Sequence, residues 1–367
     1  MIISFRFAVL ATFLLLLQIS HSALASTEEV TFVTGYDGIK LTGRWMLPDA
    51  PVRGVAVIIA GSGNVDFDGD VSSPFIGHPH LADSAKLSLQ LARVLSAKGV
   101  ATLRYSKRGF ENAAQLPNQI TSIMAKDART IALQARQRFP AVKFGLVGFS
   151  EGAIVSVLVS NEMAVDALFL IGLSTRPIDE IFRYQFSEWP LALMKNNLHP
   201  DRDGQIDLSE FKAQGLEKLI FADILPALNK PLADLDLDHN GKLSIETELK
   251  PAYEQGLIQV MGLMQTPGFA PWYNDLKAMQ PVRELVTTMK SPVTYLYNAV
   301  GDAQMNTRWI GEDLLRFPGH TTTRRYDGVG HCFSPMEGSI GQVKTSGPMS
   351  DELLSGVAGD FETVLRP

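Results

Sequence analysis

The stretch Leu146 to Ala153, LVGFSEGA, has G-x-S-x-G spacing between an apolar run and a helical pattern. At a strand-to-helix junction such a turn lifts Ser150 onto a sharp bend with its hydroxyl exposed. Gly148 and Gly152 leave room for that bend, whereas the alternative is a structural turn with an inert serine. A serine oxygen needs a base, and the base needs an acid to orient it. Beyond residue 25 the histidines are His78, His80, His199, His239, His320 and His331. His331, in DGVGHCF, falls in a loop directly after the last predicted strand, while the competing bases His78 and His80 precede the serine. Asp302, in YLYNAVGDAQ, follows the strand before that and is the expected orienting acid. Two backbone N–H groups are expected to hold an oxyanion. One belongs to Glu151, at the positive end of the helix after the serine. The other is placed at Ser62 in AGSGN, with Gly61 next to it as the alternative. No Lys-Ser/Thr follows these glycines, so a phosphate-binding loop is not supported.

A second chemistry is written in two acidic stretches, HPDRDGQIDLSEF and DLDHNGKLSIETEL. An EF-hand loop supplies calcium ligands at positions 1, 3, 5, 7, 9 and 12, with glycine at 6. Gly204 in that place gives Asp201, Asp203, the Gln205 carbonyl, Asp207 and Glu210, but puts His199 at position 1. Gly241 in that place gives Asp236, Asp238, Asn240, the Lys242 carbonyl and Ser244, but puts Thr247 at position 12. Glu248 stands one residue later, where a one-residue insertion would still deliver its carboxylate. The two glycines are 37 residues apart, which resembles the spacing of paired EF-hands. The competing reading is a solvated acidic surface. Any Ca²⁺ bound here is expected to be structural, since a serine triad needs no metal.

The elements that must position these residues alternate between two periods. EVTFVTGYDGIKLTGRWMLP reads as a hairpin, with strands near Val30–Thr34 and Ile39–Leu47. GVAVIIAGSGN is a continuous apolar run ending in glycines, as expected of a strand buried on both faces. Helical and strand patterns then alternate as far as VDALFLIG, which predicts a mostly parallel sheet covered by helices. From 176 to 288 the pattern is helical, with the two acidic loops and no clear strand. Alternation resumes at SPVTYLYNAVGD and ends in the helix SDELLSGVAGDFETVL. The expected organisation is a leader over 1–25, a core over 26–175 and 289–367, and a helical lid over 176–288.

The leader combines Arg6, an apolar run from Ala8 to Leu17, and an A-x-A site at Ala23–Ala25. It reads as a secretory signal cleaved after Ala25, which predicts a periplasmic or secreted protein. The alternative, a membrane anchor, meets a run shorter than the ~20 residues a bilayer crossing takes. The sole cysteine, Cys332, excludes a disulfide within the chain. Stability must therefore come from a large core, which 367 residues at 46% hydrophobic composition can build. A net charge of −6 with no Lys/Arg-rich run argues against nucleic acid as a partner.

Taken together, AGSGNVDFDGD, LRYSKRGF, VGFSEGA, LIGLSTRPIDEIFRYQ, VGD and GVGH resemble the bacterial α/β-hydrolases of the serine-aminopeptidase and esterase-like group. The order Ser150, Asp302, His331 is also that of an α/β-hydrolase. The resemblance implies the α/β-hydrolase fold with a lid, and a small-molecule ester or amide as substrate. The expected activity is cleavage of carboxylic esters. An aminopeptidase or amidase on the same triad is the alternative; an aminopeptidase would need an acidic subsite, which Glu151 or the Asp66–Asp70 loop would have to supply. A third reading, of another class, is a calcium-binding module on an inactive hydrolase scaffold. VMGLMQTPGFAPWYNDLKAM, rich in Met and aromatics, is expected to be mostly lid core, with a minority of its side chains lining an acyl pocket.

Overall fold

The hairpin pattern near the start folds as β1 (Ser26–Thr34) and β2 (Lys40–Pro48), paired antiparallel around Asp37-Gly38. In a computed structural model, the described residues are 26–70, 85–197, 203–209, 234–335 and 348–366. The leader, His78, His80, His199, Asp201 and Glu210 lie outside them.

Next come β3 (Gly54–Ile59), α1 (Leu87–Ser96), β4 (Val100–Tyr105) and α2 (Thr121–Arg138). They are followed by β5 (Lys143–Phe149), α3 (Glu151–Glu162) and β6 (Ala167–Ile171). The chain then leaves the sheet and returns as β9 (Val293–Ala299), α8 (Thr307–Asp313), β10 (His320–Tyr326) and α9 (Asp351–Val364). The sheet has eight strands in the order β1-β2-β4-β3-β5-β6-β9-β10. All neighbours from β4 to β10 pair parallel, and β2 is antiparallel to both of its neighbours.

The continuous apolar runs have a direct cause. Every residue of β3, β4 and β6 is buried, because helices cover both faces of the sheet. Along β3, Val55, Val57 and Ile59 join the layer under α2 and α3. Ala56 and Ile58 join the opposite layer, with α1 and α9. In that second layer the Phe361 ring stacks on Phe169 at 4.8 Å and is fully buried. Truncating Phe361 to Ala would cost about 3–5 kcal/mol.

Between β6 and β9 lie α4 (Ile178–Arg183), α5 (Trp189–Asn197), β7 (Gln205–Asp207), β8 (Lys242–Ser244), α6 (Lys250–Leu263) and α7 (Ala270–Ala278). These elements bury a core of their own around Phe182, Leu249, Tyr253 and Tyr273. From VMGLMQTPGFAPWYNDLKAM, Val260, Met264 and Tyr273 belong to that core. β7 and β8 correct the expectation of a strandless insertion. Each is three residues long, too short to show a period of two, and they pair antiparallel with Ile206 opposite Leu243. Both of those side chains are fully buried. Among the described residues no helix is long and apolar enough to cross a membrane.

Candidate active site

The strand order reverses at β3. Its connection leads to β4 on one side, while β5 pairs on the other, so the loops after β3 and β5 open into one crevice. Ligands of open α/β sheets bind in such crevices. Ser150 directly follows β5 with φ 53° and ψ −120°, a region that a residue with a side chain rarely adopts. Its N–H is held by the Ile171 carbonyl at 2.8 Å. The two flanking glycines are required by close approach. A Cβ on Gly148 would lie 2.3 Å from the Gly152 carbonyl oxygen, and one on Gly152 would lie 2.1 Å from that of Ile59.

Three distant side chains meet at this bend. His331 Nε2 lies 2.9 Å from Ser150 Oγ, and His331 Nδ1 lies 2.8 Å from Asp302 Oδ2. All three residues are buried. Asp302 Oδ1 accepts the N–H groups of Gln304 and Met305 at 2.7 and 2.9 Å. Those donors fix the carboxylate so that Oδ2 faces the imidazole. A carboxylate acceptor at Nδ1 places the ring proton there and leaves Nε2 to accept from the serine hydroxyl. Gly172, at φ +63°, brings its backbone against the imidazole edge. Tyr184, just after α4, donates its hydroxyl to the Asp302 carbonyl oxygen at 3.0 Å, so the insertion touches the acid's loop.

The two residues expected to supply oxyanion donors follow different strands, Glu151 after β5 and Ser62 after β3. Glu151 follows the serine as the first residue of α3. A Cβ on Gly61 would come within 3.2 Å of Ser150 Cβ, so the loop after β3 passes close beside Ser150. Ser62, the next residue, is exposed.

The Glu151 side chain is not available to a substrate amine, which corrects one support of the aminopeptidase reading. It is buried, and its Oε1 accepts from Thr121 Oγ1 at 2.6 Å and from Trp272 Nε1 at 2.7 Å. Its Oε2 pairs with Lys107 Nζ at 3.3 Å. The Asp66–Asp70 loop is likewise engaged. Asp66 Oδ1 accepts three backbone N–H groups of its own loop, Asp68 pairs with Arg104, and Asp70 holds the Lys86 N–H. Burial raises the carboxyl groups of Asp66 and Asp68 above the usual range. Lys107 was not singled out by sequence reasoning, although it lies in LRYSKRGF. Burial pushes its ammonium below the ordinary lysine range, and the Glu151 carboxylate opposes that shift.

In the second acidic loop the carboxylates of Asp236, Asp238 and Glu248 have oxygens within 4.8 Å of one another. The helix that leaves the loop opens with a π turn, Ile245–Leu249, in which the Lys250 N–H reaches back to the Ile245 carbonyl. A π turn takes up one additional residue. Glu248 therefore points inward and is buried, while Thr247 is exposed. Asn240 joins the group by donating its amide to Asp238 Oδ2, and Lys242 lies in β8 beside it. Gly241 takes φ +79°, as the sixth position requires. This all-oxygen set fits a hard divalent cation such as Ca²⁺. In the first loop, Asp203 Oδ1 accepts the Gln205 N–H, and Asp207 Oδ1 accepts from the Ser209 N–H and hydroxyl. Asp203 and Asp207 do not join a carboxylate cluster among the described residues.

No family model matches the chain, and no curated protein does. Among solved structures it is similar to a thermostable carboxyl esterase from Bacillus coagulans, at 14% identity and a TM-score of 0.51. That match covers 93% of this chain and 100% of the other. Est1E from Butyrivibrio proteoclasticus matches over 92% of this chain and 98% of its own, at 13% identity and a TM-score of 0.48. With its mostly parallel sheet and helices on both faces, the chain has the α/β-hydrolase fold, and at this identity the first likeness speaks to fold alone.

Proposed function

We propose that the chain is a serine hydrolase that cleaves carboxylic esters through an acyl-enzyme on Ser150. One observation carries the reading: a strained serine whose Oγ lies 2.9 Å from an imidazole that a buried carboxylate orients. Ser150 Oγ attacks the ester carbonyl carbon while its proton passes to His331 Nε2. Asp302 holds the Nδ1–H and stabilises the imidazolium that forms. The negative oxygen of the tetrahedral intermediate is received by the N–H groups of Glu151 and Ser62. His331 then gives its proton to the leaving alkoxide. Water repeats the sequence on the acyl group and frees the acid. The engaged carboxylates of Glu151 and Asp66–Asp70 favour an ester over a substrate carrying a free amino terminus. Ser150→Ala is expected to remove turnover of short p-nitrophenyl esters, a loss on the order of 10⁶. A folded alanine variant with wild-type turnover sinks the proposal, and aminoacyl arylamides run in parallel separate ester from amide cleavage.

Two further parts of this reading stand on separate supports. The acidic loop of Asp236, Asp238 and Glu248 binds Ca²⁺ structurally, and the carboxylate cluster supports this. The leader directs export with cleavage after Ala25, and the A-x-A site supports that. N-terminal sequencing of protein recovered outside the cytoplasm should begin at Ser26; an intact leader there contradicts it.

A further inference from the structure

We infer that Lys107 is a positioning residue for the oxyanion hole, tying the peptide of one proposed donor to the side chain of the residue that supplies the other. The inference rests on the triad reading above and adds a residue to it.

Lys107 Nζ is buried between two acceptors. It donates to the Gly61 carbonyl oxygen and pairs with Glu151 Oε2. Gly61 and Ser62 share one peptide unit, and no peptide bond among the described residues is cis. In a trans peptide the carbonyl oxygen and the N–H point in opposite directions. Holding the Gly61 carbonyl toward Lys107 therefore aims the Ser62 N–H away from it, in a loop that passes within van der Waals reach of Ser150. A cation on the carbonyl also polarises the peptide and strengthens its N–H as a donor.

The rest of the loop is secured in the same manner. The Gly63 carbonyl accepts from Gln119 Nε2, and the Val65 carbonyl accepts from the Lys107 N–H. Glu151 cannot swing away from Lys107, because Thr121 and Trp272 hold its other oxygen. An ion pair enclosed this fully loses more hydration than a neutral pair of similar shape, so stability alone is a weak reason for it. Orientation is a sufficient one. A preorganised donor helps only while it points to where negative charge develops.

Two variants test this. Lys107→Met removes the tie but leaves the Glu151 carboxylate buried without its partner. Lys107→Met with Glu151→Gln removes both charges and keeps an acceptor for Thr121 and Trp272. Turnover of a short p-nitrophenyl ester is measured per reactive serine, counted by fluorophosphonate titration, beside affinity for a trifluoromethyl ketone that adds to Ser150 and generates the oxyanion. The expected result for the folded double variant is kcat down about 100-fold, KM within about threefold, and ketone affinity down in step with kcat. Wild-type kcat and ketone affinity in that variant would overturn the inference. A fall in kcat with unchanged ketone affinity would overturn it as well. Full turnover by Ser150→Ala would instead remove the triad reading on which it rests.

Discussion

Ser150 Oγ and His331 Nε2 stand 2.9 Å apart across 181 positions of sequence. Parallel packing makes this possible. The serine directly follows β5, and the imidazole lies in the loop after β10, so both occupy the end of the sheet at which parallel strands finish. Asp302, after β9, completes the row from the same end.

Asp302→Asn should keep the fold and lose turnover. An amide turned with its NH₂ group toward Nδ1 selects the tautomer that leaves Nε2 protonated and unable to accept from Ser150. The expected loss of kcat is on the order of 10⁴. A loss below tenfold would show that Asp302 does not orient the base.

Gly152→Ala should destabilise the whole molecule, not only the site. The added methyl would meet the Ile59 carbonyl oxygen at 2.1 Å, and both are backbone-borne in buried elements. The expected cost is at least about 2 kcal/mol, read from urea denaturation midpoints. An unchanged midpoint would mean that α3 can withdraw from β3 without penalty.

Calcium should stabilise the insertion through Glu248 and not through Thr247. A ligand held only by the folded form adds about 2.7 kcal/mol at 100 times its dissociation constant. Chelation should lower the melting temperature of the wild type and of Thr247→Ala, and leave that of Glu248→Gln unmoved. Small-ester turnover below the melting point should survive chelation. No heat of Ca²⁺ binding to the stripped wild type would reduce the loops to an acidic surface.

Asp37→Asn should uncover one pH-dependent part of the stability. The side-chain hydrogen bonds from Arg108 hold the Asp37 carboxyl below its ordinary 3.8, with burial opposing. A depressed folded value contributes stability that is complete above the ordinary value and lost as pH falls through the folded one. The carboxylate is partly exposed, so screening keeps the gain below about 1 kcal/mol. The gap in melting temperature between wild type and variant should be widest at neutral pH and close in acid. A gap that widens in acid would reverse the assignment.

The sequence by itself determined what depends on neighbours along the chain. A fully buried strand must be apolar throughout, so β3, β4 and β6 declared themselves as runs. The G-x-S-x-G turn declared itself because each glycine answers a backbone contact that no side chain can share. Chain order and loop position were enough to choose His331 and Asp302, the two side chains that the fold brings to Ser150. Only the tertiary structure decided the rest. β7 and β8 are stabilised by each other and by the buried Ile206–Leu243 pair, so three residues alone carry no strand signal. The inward turn of Glu248 depends on a π turn that periodicity does not encode. The sequence pointed to Glu151 only for its backbone N–H, and the occupation of its side chain was not legible there. Lys107, Thr121 and Trp272 reach it from the end of β4, from α2 and from the insertion, and a charge reveals whether it is free or buried only when those elements close around it.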